Sequence, residues 1–495
     1  MFVTASEMYE REEALFASGV EAEALMNEAG AKIARELLQR YHVPPTGLAI
    51  AAIGKGNNGA DALVALRHLR EAGWQVAVRP AFPPESLEGL PAKKWHELGE
   101  VDRLSSFESL DPASPILILD GLLGLGTDGD LRPPLAGLAA EINELAQSHS
   151  ATVVSVDLPS GLNCDTGESG PNTIKAHLTC TLGSPKAGLV ADRAINHVGA
   201  LALLSLPGLS DFDLTRDHLI CPATLPVEKL SRPFDFHKGR AGRVGIIAGS
   251  RGLAGAAALT SLGALRGGAG LITLFVKESD YPLILPLVPV EVMVRPVKNY
   301  REVLDENLDA LAIGPGLGEA GTDVLTVIRE FKNPAVIDAD ALNLIARRSS
   351  LTALRENHLV TPHPGEMARL LPDSKGDSTR AEMARDFIAR CPATLLFKGS
   401  RTIVTAPHHP LAYNTTGTPA MASGGQGDVL SGLLAALLAR DLPLFESAKL
   451  GAWLTGRASE IALQWPSAES IESLSATTTA AHLGSAFQAL RHPVL

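Results

Sequence analysis

The chain has 495 residues, 45% of them hydrophobic, which is too long for one core and predicts two or three globular domains. Aromatic residues make up only 4% and the formal net charge is −12, so we expect neither nucleic acid nor an anionic membrane as a partner. The four cysteines are scattered without metal-binding spacing, which fits reduced thiols in a cytoplasmic protein.

The chain offers no obvious targeting or membrane segment. The N-terminal stretch MFVTASEMYEREEAL lacks the apolar run of a signal peptide. No uninterrupted apolar run reaches the roughly 18 residues that a membrane helix needs. Residues 281–294 come nearest, but prolines and Glu291 interrupt them, so we expect a buried loop and strand there.

The first half begins with a helical pattern over residues 19–41, followed by an apolar run over 48–53 that predicts a buried strand. That strand leads into GKGNNGAD, residues 54–61, and then into a helix marked by leucines 63, 66 and 69. A strand, a glycine-rich turn and a helix form the phosphate-handling unit of open α/β folds. The spacing matches neither the dinucleotide fingerprint nor the P-loop.

Further strands are predicted over residues 75–79, 116–119 and 152–156, and the last two end in acids. Asp120 opens DGLLGLG and Asp157 opens DLPSG. Strands alternating with helices indicate a mainly parallel sheet, in which ligands bind beyond the carboxyl ends of strands. Three polar groups therefore are candidates for a site, although turn chemistry alone also places Asn, Asp and Gly at strand ends. They are Asn57/Asn58/Asp61, Asp120 and Asp157/Ser160.

A turn-rich stretch predicts a domain boundary near residues 213–222, after which a second α/β series begins. Its loops repeatedly follow a short apolar run with glycine, proline and one or two polar groups. The predicted strands cover residues 243–248, 271–276, 310–313, 335–337, 359–360 and 394–397, and a helix ends near residue 265.

The stretch MASGGQGDVLSG, residues 421–432, combines four glycines with one acid, Asp428, ahead of a predicted helix over 429–438. Free backbone N–H groups at a helix N-terminus bind anions such as phosphate. The helix dipole favours a charged carboxylate in the first turn, so we expect Asp428 to be ionised and available as a base. A glycine-rich turn with an ordinary acidic cap is the alternative.

Three more residues of the second half are candidates. Lys398, in KGSRT, would neutralise phosphates opposite the residue 425–428 turn, although a lone lysine is more often a solvated surface residue. His363 lies between two prolines in TPHPGE, and a lone histidine is more often structural than a ligand. Glu366 would hold a metal-bound water or, as we favour, belong to the first turn of a helix.

These motifs resemble a known family. LMNEAG, NNGAD, DGLLGLG and DLPSG resemble the NAD(P)H-hydrate epimerase domain. GSRGLAGA, GPGLG, TPHPGE, KGSRT and NTTGTPAMASGGQGDVLSG resemble the ribokinase-like NAD(P)H-hydrate dehydratase domain. In this order they resemble the bifunctional bacterial nicotinamide nucleotide repair enzymes. The resemblance implies a Rossmann-like three-layer α/β epimerase domain over residues 1–217 and a ribokinase-like α/β dehydratase domain over 218–495.

The family epimerises the R and S hydrates of NADH and NADPH and dehydrates the S hydrate with ADP. The resemblance implies K⁺ held by Asn58, Asp120 and Ser160, Mg²⁺ in the dehydratase domain, and a homo-oligomer. From the chemistry of the residues, we expect Asp428 to take the proton of the attacking hydroxyl and Asp157 to be the acid/base group of the first half, with Lys186 a weaker candidate. The implied hydrate-binding residues are Asn57, Asn58, Gly59, Ala60, Asp61, Gly124, Leu125, Gly126, Thr127, Asp128, Gly129, Asp130 and Asp157, then Ala254, Gly316, His363 and Asp428. The implied nucleotide-binding residues are Lys398, Gly399, Ser400, Arg401, Thr402 and Gly427.

Two positions depart from the family pattern. Ala60 replaces a glycine, and its methyl group is expected to narrow the approach to the ligand. Leu125 stands where a small polar residue is usual. Two other functions stay open: a ribokinase-like sugar or vitamin kinase with a nucleotide-sensing N-terminal domain, and a binding module without turnover.

Overall fold

The computed structural model describes residues 1–41, 47–108, 110, 114–126, 129–148, 151–319, 321–374, 376–464 and 469–491. The chain divides into two compact units, Met1–His218 and Leu219–Leu495. A separate sheet belongs to each unit, one of seven strands and one of ten.

The first unit is an α/β domain with a parallel sheet. Its strands are β1 (Leu48–Ile53), β2 (Gln75–Pro80), β3 (Asp102–Arg103), β4 (Ile116–Gly121), β5 (Ala151–Val156), β6 (Leu178–Leu182) and β7 (Ala200–Leu204). Its helices are α1 (Ala5–Ala17), α2 (Ala22–Arg40), α3 (Asn57–Glu71), α4 (Gly89–Leu98), α5 (Leu135–Gln147) and α6 (Ile195–Val198). The strand order is β3-β2-β1-β4-β5-β6-β7, with every neighbouring pair parallel, which is the Rossmann-like order.

Alternate residues of β1 face two different cores, which makes this unit three-layered. Ala51 and Ile53 pack in one core with Ile33 of α2 and Leu66 of α3. Ile50 and its neighbour Ala52 pack in another core with residues of α5, including Leu138 and Ile142. The predicted strand over residues 48–53 is confirmed, since a run buried on both faces reads as continuously apolar.

The second unit is built around the larger sheet. Its strands are β8 (His218–Ile220), β9 (Arg243–Ile247), β10 (Leu271–Lys277), β11 (Met293–Val297), β12 (Ala310–Ile313), β13 (Ala335–Ile337), β14 (His358–Val360), β15 (Thr394–Phe397), β16 (Ile403–Thr405) and β17 (Ala412–Asn414). Its helices are α7 (Ala254–Arg266), α8 (Tyr281–Ile284), α9 (Thr322–Glu330), α10 (Ala339–Arg347), α11 (Pro364–Leu370), α12 (Arg380–Arg390), α13 (Gln426–Leu438), α14 (Leu444–Ala462) and α15 (Ala476–Arg491).

The strand order is β11-β10-β9-β12-β13-β14-β15-β16-β17-β8, parallel from β11 to β15 and antiparallel from β15 to β17. The order reverses between β9 and β12, where a ligand crevice is expected. Helices α7 and α13 approach closely at Gly432, which has no side chain. A Cβ there would lie only 1.9 Å from the carbonyl oxygen of Thr260. The helix predicted over 429–438 begins three residues earlier, at Gln426.

The prediction of a buried loop and strand over residues 281–294 is wrong. The segment contains α8 and a short 3-10 turn, and β11 begins only at its end. Leu283, Leu285 and Leu287 are exposed and Val290 is 97% exposed, because β11 is the edge strand and nothing in the described chain covers this turn. Among the described helices, none is both long enough and apolar enough to cross a membrane.

Candidate active sites in the two units

The crevice of the first sheet lies where the strand order reverses, between β1 and β4. The segments that follow β1 and β4 run close together there. A Cβ on Gly54 would lie only 2.0 Å from the carbonyl oxygen of Leu122. Asn58, in the first turn of α3, donates its amide to the carbonyl oxygens of Leu123 at 2.9 Å and Val156 at 2.7 Å. Its amide oxygen is therefore the atom left for a ligand.

Asp120 is fully buried at the end of β4 and is held by hydroxyl and amide donors. Oδ1 accepts the Ser160 hydroxyl at 2.6 Å, and Oδ2 accepts the Ser155 hydroxyl at 2.8 Å and the Ser160 N–H at 2.9 Å. Burial raises the pKa of Asp120, and the hydrogen bonds from Ser160 and Ser155 oppose that rise. The structure thus brings together all three predicted K⁺ ligands through Asn58, the Leu123 backbone and Ser160.

Asp157 follows β5 in a left-handed backbone conformation, with φ of 63°. One carboxylate oxygen forms an ion pair with Lys186 and accepts the N–H of Leu182 at 2.9 Å. Lys186 is completely buried and also donates to the Leu182 carbonyl oxygen at 2.9 Å. A non-glycine residue at positive φ is strained, and such strain is often found at functional sites.

Two further carboxyl groups respond to the charge of Asp157. Burial raises the pKa of Asp61 well above its ordinary value, and the negative charges of Asp157 and Glu12 raise it further. Burial also raises the pKa of Glu12, with Asp157 adding to the rise and Lys186 opposing it. Asp61 was predicted from NNGAD, whereas Glu12 was missed because an acidic helix near the N-terminus reads as a solvated face.

The remaining predicted residues of this unit differ in what they face. Gly124 lies beside Asn58: a Cβ on Gly124 would be 3.3 Å from the amide oxygen of Asn58. The methyl group of Ala60 is buried against Met26 and Val64, so the expected narrowing of the ligand approach is wrong. Asn57 and Gly59 lie in the first turn of α3. Leu125 is partly buried, and Gly126 lies beside the Tyr9 hydroxyl. Gly129 has a positive φ, and Asp130 packs against Gly170. Thr127 and Asp128 lie outside the described residues.

In the second unit, Asp428 lies in the first turn of α13, behind Gly425 in a left-handed conformation with φ of 90°. Burial raises the pKa of Asp428 to about 7, with Asp338 and Asp340 adding to the rise and Lys398 opposing it. The expectation that the helix dipole keeps Asp428 fully ionised is therefore wrong near neutral pH. Burial and two neighbouring negative charges outweigh a dipole effect that is worth about 1 kcal/mol at most on exposed sites.

Lys398 points into the same site and is not a solvated surface lysine. Its ammonium lies 2.8 Å from Oδ1 of Asp338, whose Oδ2 accepts the Ser431 hydroxyl at 2.7 Å. Burial lowers the pKa of Lys398, but the charges of Asp338 and Glu366 outweigh that effect and the pKa is raised. A Cβ on Gly427 would lie 3.4 Å from the Lys398 ammonium, so the cation and the start of α13 converge.

His363 and Glu366 form a capping box at the start of α11. Glu366 Oε2 accepts the His363 N–H at 2.8 Å, and His363 Nδ1 accepts the Gly365 N–H at 3.0 Å. The first-turn interpretation of Glu366 is confirmed, but the residue also lies 3.9 Å from the Lys398 ammonium. Burial raises its pKa, while Lys398 opposes the rise.

Two predicted hydrate-binding residues lie at the reversal of strand order, on loops that contact each other. Ala254 begins α7, and Gly316 follows β12 with φ of 63°. A Cβ on Gly316 would lie 2.6 Å from the Ala256 methyl carbon, so only glycine fits. The Ser250 hydroxyl donates to the Gly316 carbonyl oxygen at 2.9 Å, joining the two loops.

The KGSRT loop continues the site beyond β15. Thr402 donates its hydroxyl to the Gly399 carbonyl oxygen at 3.1 Å, and Ser400 is exposed. The Arg401 side chain is 3% exposed, and burial lowers its pKa to about 10, with Glu460 opposing that effect. The guanidinium group over this loop is Arg380, which donates to the Arg401 carbonyl oxygen at 3.0 Å. The buried Arg401 side chain therefore does not face a ligand.

Among the described residues, no three His, Cys, Asp or Glu side chains form a ready metal site. Carboxylates near Lys398 would hold a divalent ion only together with ligand oxygens, which is how Mg²⁺ usually binds with nucleotides. The oxygen set of Asn58, Asp120 and Ser160 contains one carboxylate and two neutral groups, which suits a monovalent hard cation.

Two family models match the chain. One is described as YjeF-related protein N-terminus and matches residues 22–188, and the other, NAD(P)H-hydrate dehydratase, matches residues 244–480. A bifunctional NAD(P)H-hydrate repair enzyme of Gloeobacter violaceus is 37% identical over 88% of this chain and 89% of its own length. The enzyme of the same name from Coxiella burnetii is 34% identical, covering 90% and 92%.

The chain belongs to the bifunctional NAD(P)H-hydrate repair enzyme family. The Escherichia coli member is 35% identical over 82% of this chain and 79% of its own length. A solved ADP/ATP-dependent NAD(P)H-hydrate dehydratase from Bacillus subtilis, co-crystallized with ATP/Mg²⁺, aligns with 57% of this chain at 25% identity and a TM-score of 0.46.

Within this NAD(P)H-hydrate repair family member, sequence reasoning missed Asp338 as well as Glu12. Asp338 opens DADALN, directly after the strand predicted over residues 335–337, and lies 60 residues before its partner Lys398. An acid at the end of a parallel strand was the available signal, as it was for Asp120 and Asp157.

Proposed function

We propose that the first unit interconverts the R and S hydrates of NADH and NADPH, and that the second dehydrates the S hydrate with ADP, giving AMP and phosphate. The single observation that carries the second assignment is Asp428, with a pKa of about 7, at a helix N-terminus beside Lys398. A group that titrates near neutral pH is suited to general-base catalysis. Family membership supports both assignments.

In the second unit, Asp428 takes the proton from the hydrate's hydroxyl as its oxygen attacks the β-phosphorus of ADP. AMP leaves, and the phosphorylated hydrate then loses phosphate and a ring proton to restore the nicotinamide. The backbone N–H groups at the start of α13 and Lys398 stabilise the charge that spreads over the transferred phosphoryl group. Mg²⁺ would enter with the nucleotide, held in addition by Glu366, and would neutralise phosphate charge.

In the first unit, Asp157 is the proposed acid/base group, oriented by its ion pair with Lys186. Asn58, Asp120 and Ser160 would hold K⁺, which would balance the buried charge of Asp120. The first turn of α3, residues 57–61, and residues 124–130 would bind the hydrate. Replacing K⁺ by a larger organic cation is expected to slow epimerisation and leave dehydration unchanged.

The decisive assay supplies hydrated NADH and ADP to the full chain and follows the return of the reduced-nicotinamide absorbance. Return of that absorbance supports the proposal. Phosphorylation of a sugar or vitamin without return of the absorbance would favour the ribokinase-like kinase instead. Family membership disfavours the kinase alternative, because a kinase reaction in the second unit would leave the first unit without a reaction.

Parallel assays with ADP and ATP measure the nucleotide preference. A cytoplasmic location and a homo-oligomeric state are part of the same proposal. All four cysteines are free and buried, which fits a reducing compartment. Sedimentation of the full chain tests the oligomeric state.

A further inference from the structure

Helix α1 is fixed against the loop that carries Lys186. The Val3 N–H donates to the Pro185 carbonyl oxygen at 3.0 Å, and Arg11 donates to the Ser184 hydroxyl at 3.2 Å. Met8 fits against Gly183, where a Cβ would lie 3.1 Å from its methyl carbon. The N-terminal helix is therefore a wall of the first-unit site.

The buried face of α1 determines where its acids point. Met8 is 2% exposed, and Glu12 lies four residues later, on the same helix face. Glu12 is half-buried, whereas Glu13, on the next face, is exposed. The neighbouring Tyr9 reaches the DGLLGLG loop, because its hydroxyl would lie 3.6 Å from a Cβ on Gly126.

The charged and titratable groups that face Glu12 come from four elements. They are Tyr9 on α1, Asp61 on α3, Asp157 after β5 and Lys186 after β6. Lys186 already pairs with Asp157. Asp157 is thus a carboxylate with a cation partner, while burial and the charge of Asp157 raise the pKa of Glu12. Two carboxyl groups in such unequal environments suit the opposite roles of acid and base.

We propose that Glu12 is the second catalytic group of the first unit, acting as the acid while Asp157 acts as the base. This inference rests on the proposed epimerase function. Epimerisation must make the carbon that bears the hydroxyl and the ring nitrogen planar and then rebuild it from the other face. One proton donor, one proton acceptor and a water molecule that adds to the other face of the carbon accomplish this.

Glu12 gives its proton to the hydroxyl, the carbon–oxygen bond breaks, and the ring nitrogen lone pair forms a carbon–nitrogen double bond while water leaves. A second water attacks the opposite face and gives a proton to Asp157. The configuration at the carbon is inverted, one water molecule has left and one has been added. Proton exchange with solvent restores both carboxyl groups.

The test compares Glu12→Gln with Glu13→Gln, a matched change at the exposed neighbour. The wild-type full chain receives pure R hydrate with ADP, and a parallel reaction receives pure S hydrate. Glu12→Gln is expected to slow conversion of the R hydrate about 10²–10⁴-fold, with S-hydrate dehydration unchanged. Glu13→Gln is expected to match wild type in both reactions.

A wild-type rate of R-hydrate conversion in Glu12→Gln would overturn the role of Glu12 and leave the epimerase assignment intact. Failure of the wild-type chain itself to convert the R hydrate would overturn both. Glu12→Asp keeps a proton to give and is expected to recover part of the rate. Equal losses in Glu12→Asp and Glu12→Gln would indicate a packing role and overturn the inference.

Two further readouts separate chemistry from packing. The wild-type epimerisation rate is expected to fall as pH rises through the raised pKa of Glu12, and Glu12→Gln is expected to lack that fall. In ¹⁸O-labelled water, each epimerisation is expected to exchange the hydroxyl oxygen once. Epimerisation without label uptake would rule out the proposed carbon–oxygen cleavage.

Discussion

Lys398 and Asp338 form an ion pair at the carboxyl ends of two strands that are separated by one strand in the sheet, with 2.8 Å between Nζ and Oδ1. Because Ser431 of α13 binds the other oxygen of Asp338, the carboxylate links the cation to the helix that carries Asp428. The pair thus holds Lys398 beside Gly427.

Replacing Asp428 by Asn is expected to abolish dehydration of the S hydrate, with a fall of about 10²–10⁴-fold, because no base remains to accept the hydroxyl proton. In wild type the carboxylate must be ionised to act, so the rate should rise with pH through about 7. Asp441→Asn, just beyond the other end of α13, is the control and should retain activity. A normal rate in Asp428→Asn would contradict the assigned role.

Asp338→Asn is expected to shift the pH midpoint of dehydration below that of wild type. The negative charge of Asp338 raises the pKa of Asp428, and its loss also releases Lys398 to stabilise the Asp428 carboxylate. Both effects lower the pKa. The measurement is kcat against pH with saturating S hydrate and ADP, and an unchanged or higher midpoint would count against this coupling.

Lys186→Met is expected to destabilise the first unit by about 3–5 kcal/mol, because it leaves the buried Asp157 carboxylate without its cation. The double variant Asp157→Asn, Lys186→Met removes both charges at similar volume and should recover much of that stability. Neither variant should epimerise. Urea unfolding measures the stabilities, and a single variant as stable as the double would show that the charge pair is unimportant.

Gly432→Ala is expected to destabilise the second unit by about 1–3 kcal/mol, although alanine favours a helix over glycine by about 1 kcal/mol. The added methyl group would lie 1.9 Å from the Thr260 carbonyl oxygen of α7. Gly255→Ala, in α7, meets nothing within 4 Å and should instead stabilise the helix by about 0.5–1 kcal/mol. Thermal unfolding of both variants gives the comparison.

Sequence reasoning found most of the parallel strands because strands buried on both faces are continuously apolar. The run LAIAAI gives the bounds of β1 correctly, and the runs before Asp338 and Lys398 give β13 and β15. It misjudged the segment before β11, where apolar residues are exposed, and it did not predict β3, β6, β7, β8, β16 or β17. Hydropathy alone does not distinguish an exposed edge from a buried strand.

Local sequence also determined which loops carry chemistry, because acids and glycines at strand ends are a short-range pattern. Asp120 and Asp157 were found at strand ends, and Asp428 was found in a glycine-rich turn that leads into a helix. Tertiary structure alone decided which charges meet: Lys186 with Asp157, Lys398 with Asp338, and Glu12 near Asp157. Those pairs are 29, 60 and about 145 residues apart, and a pKa depends on burial and on neighbours that only folding brings together.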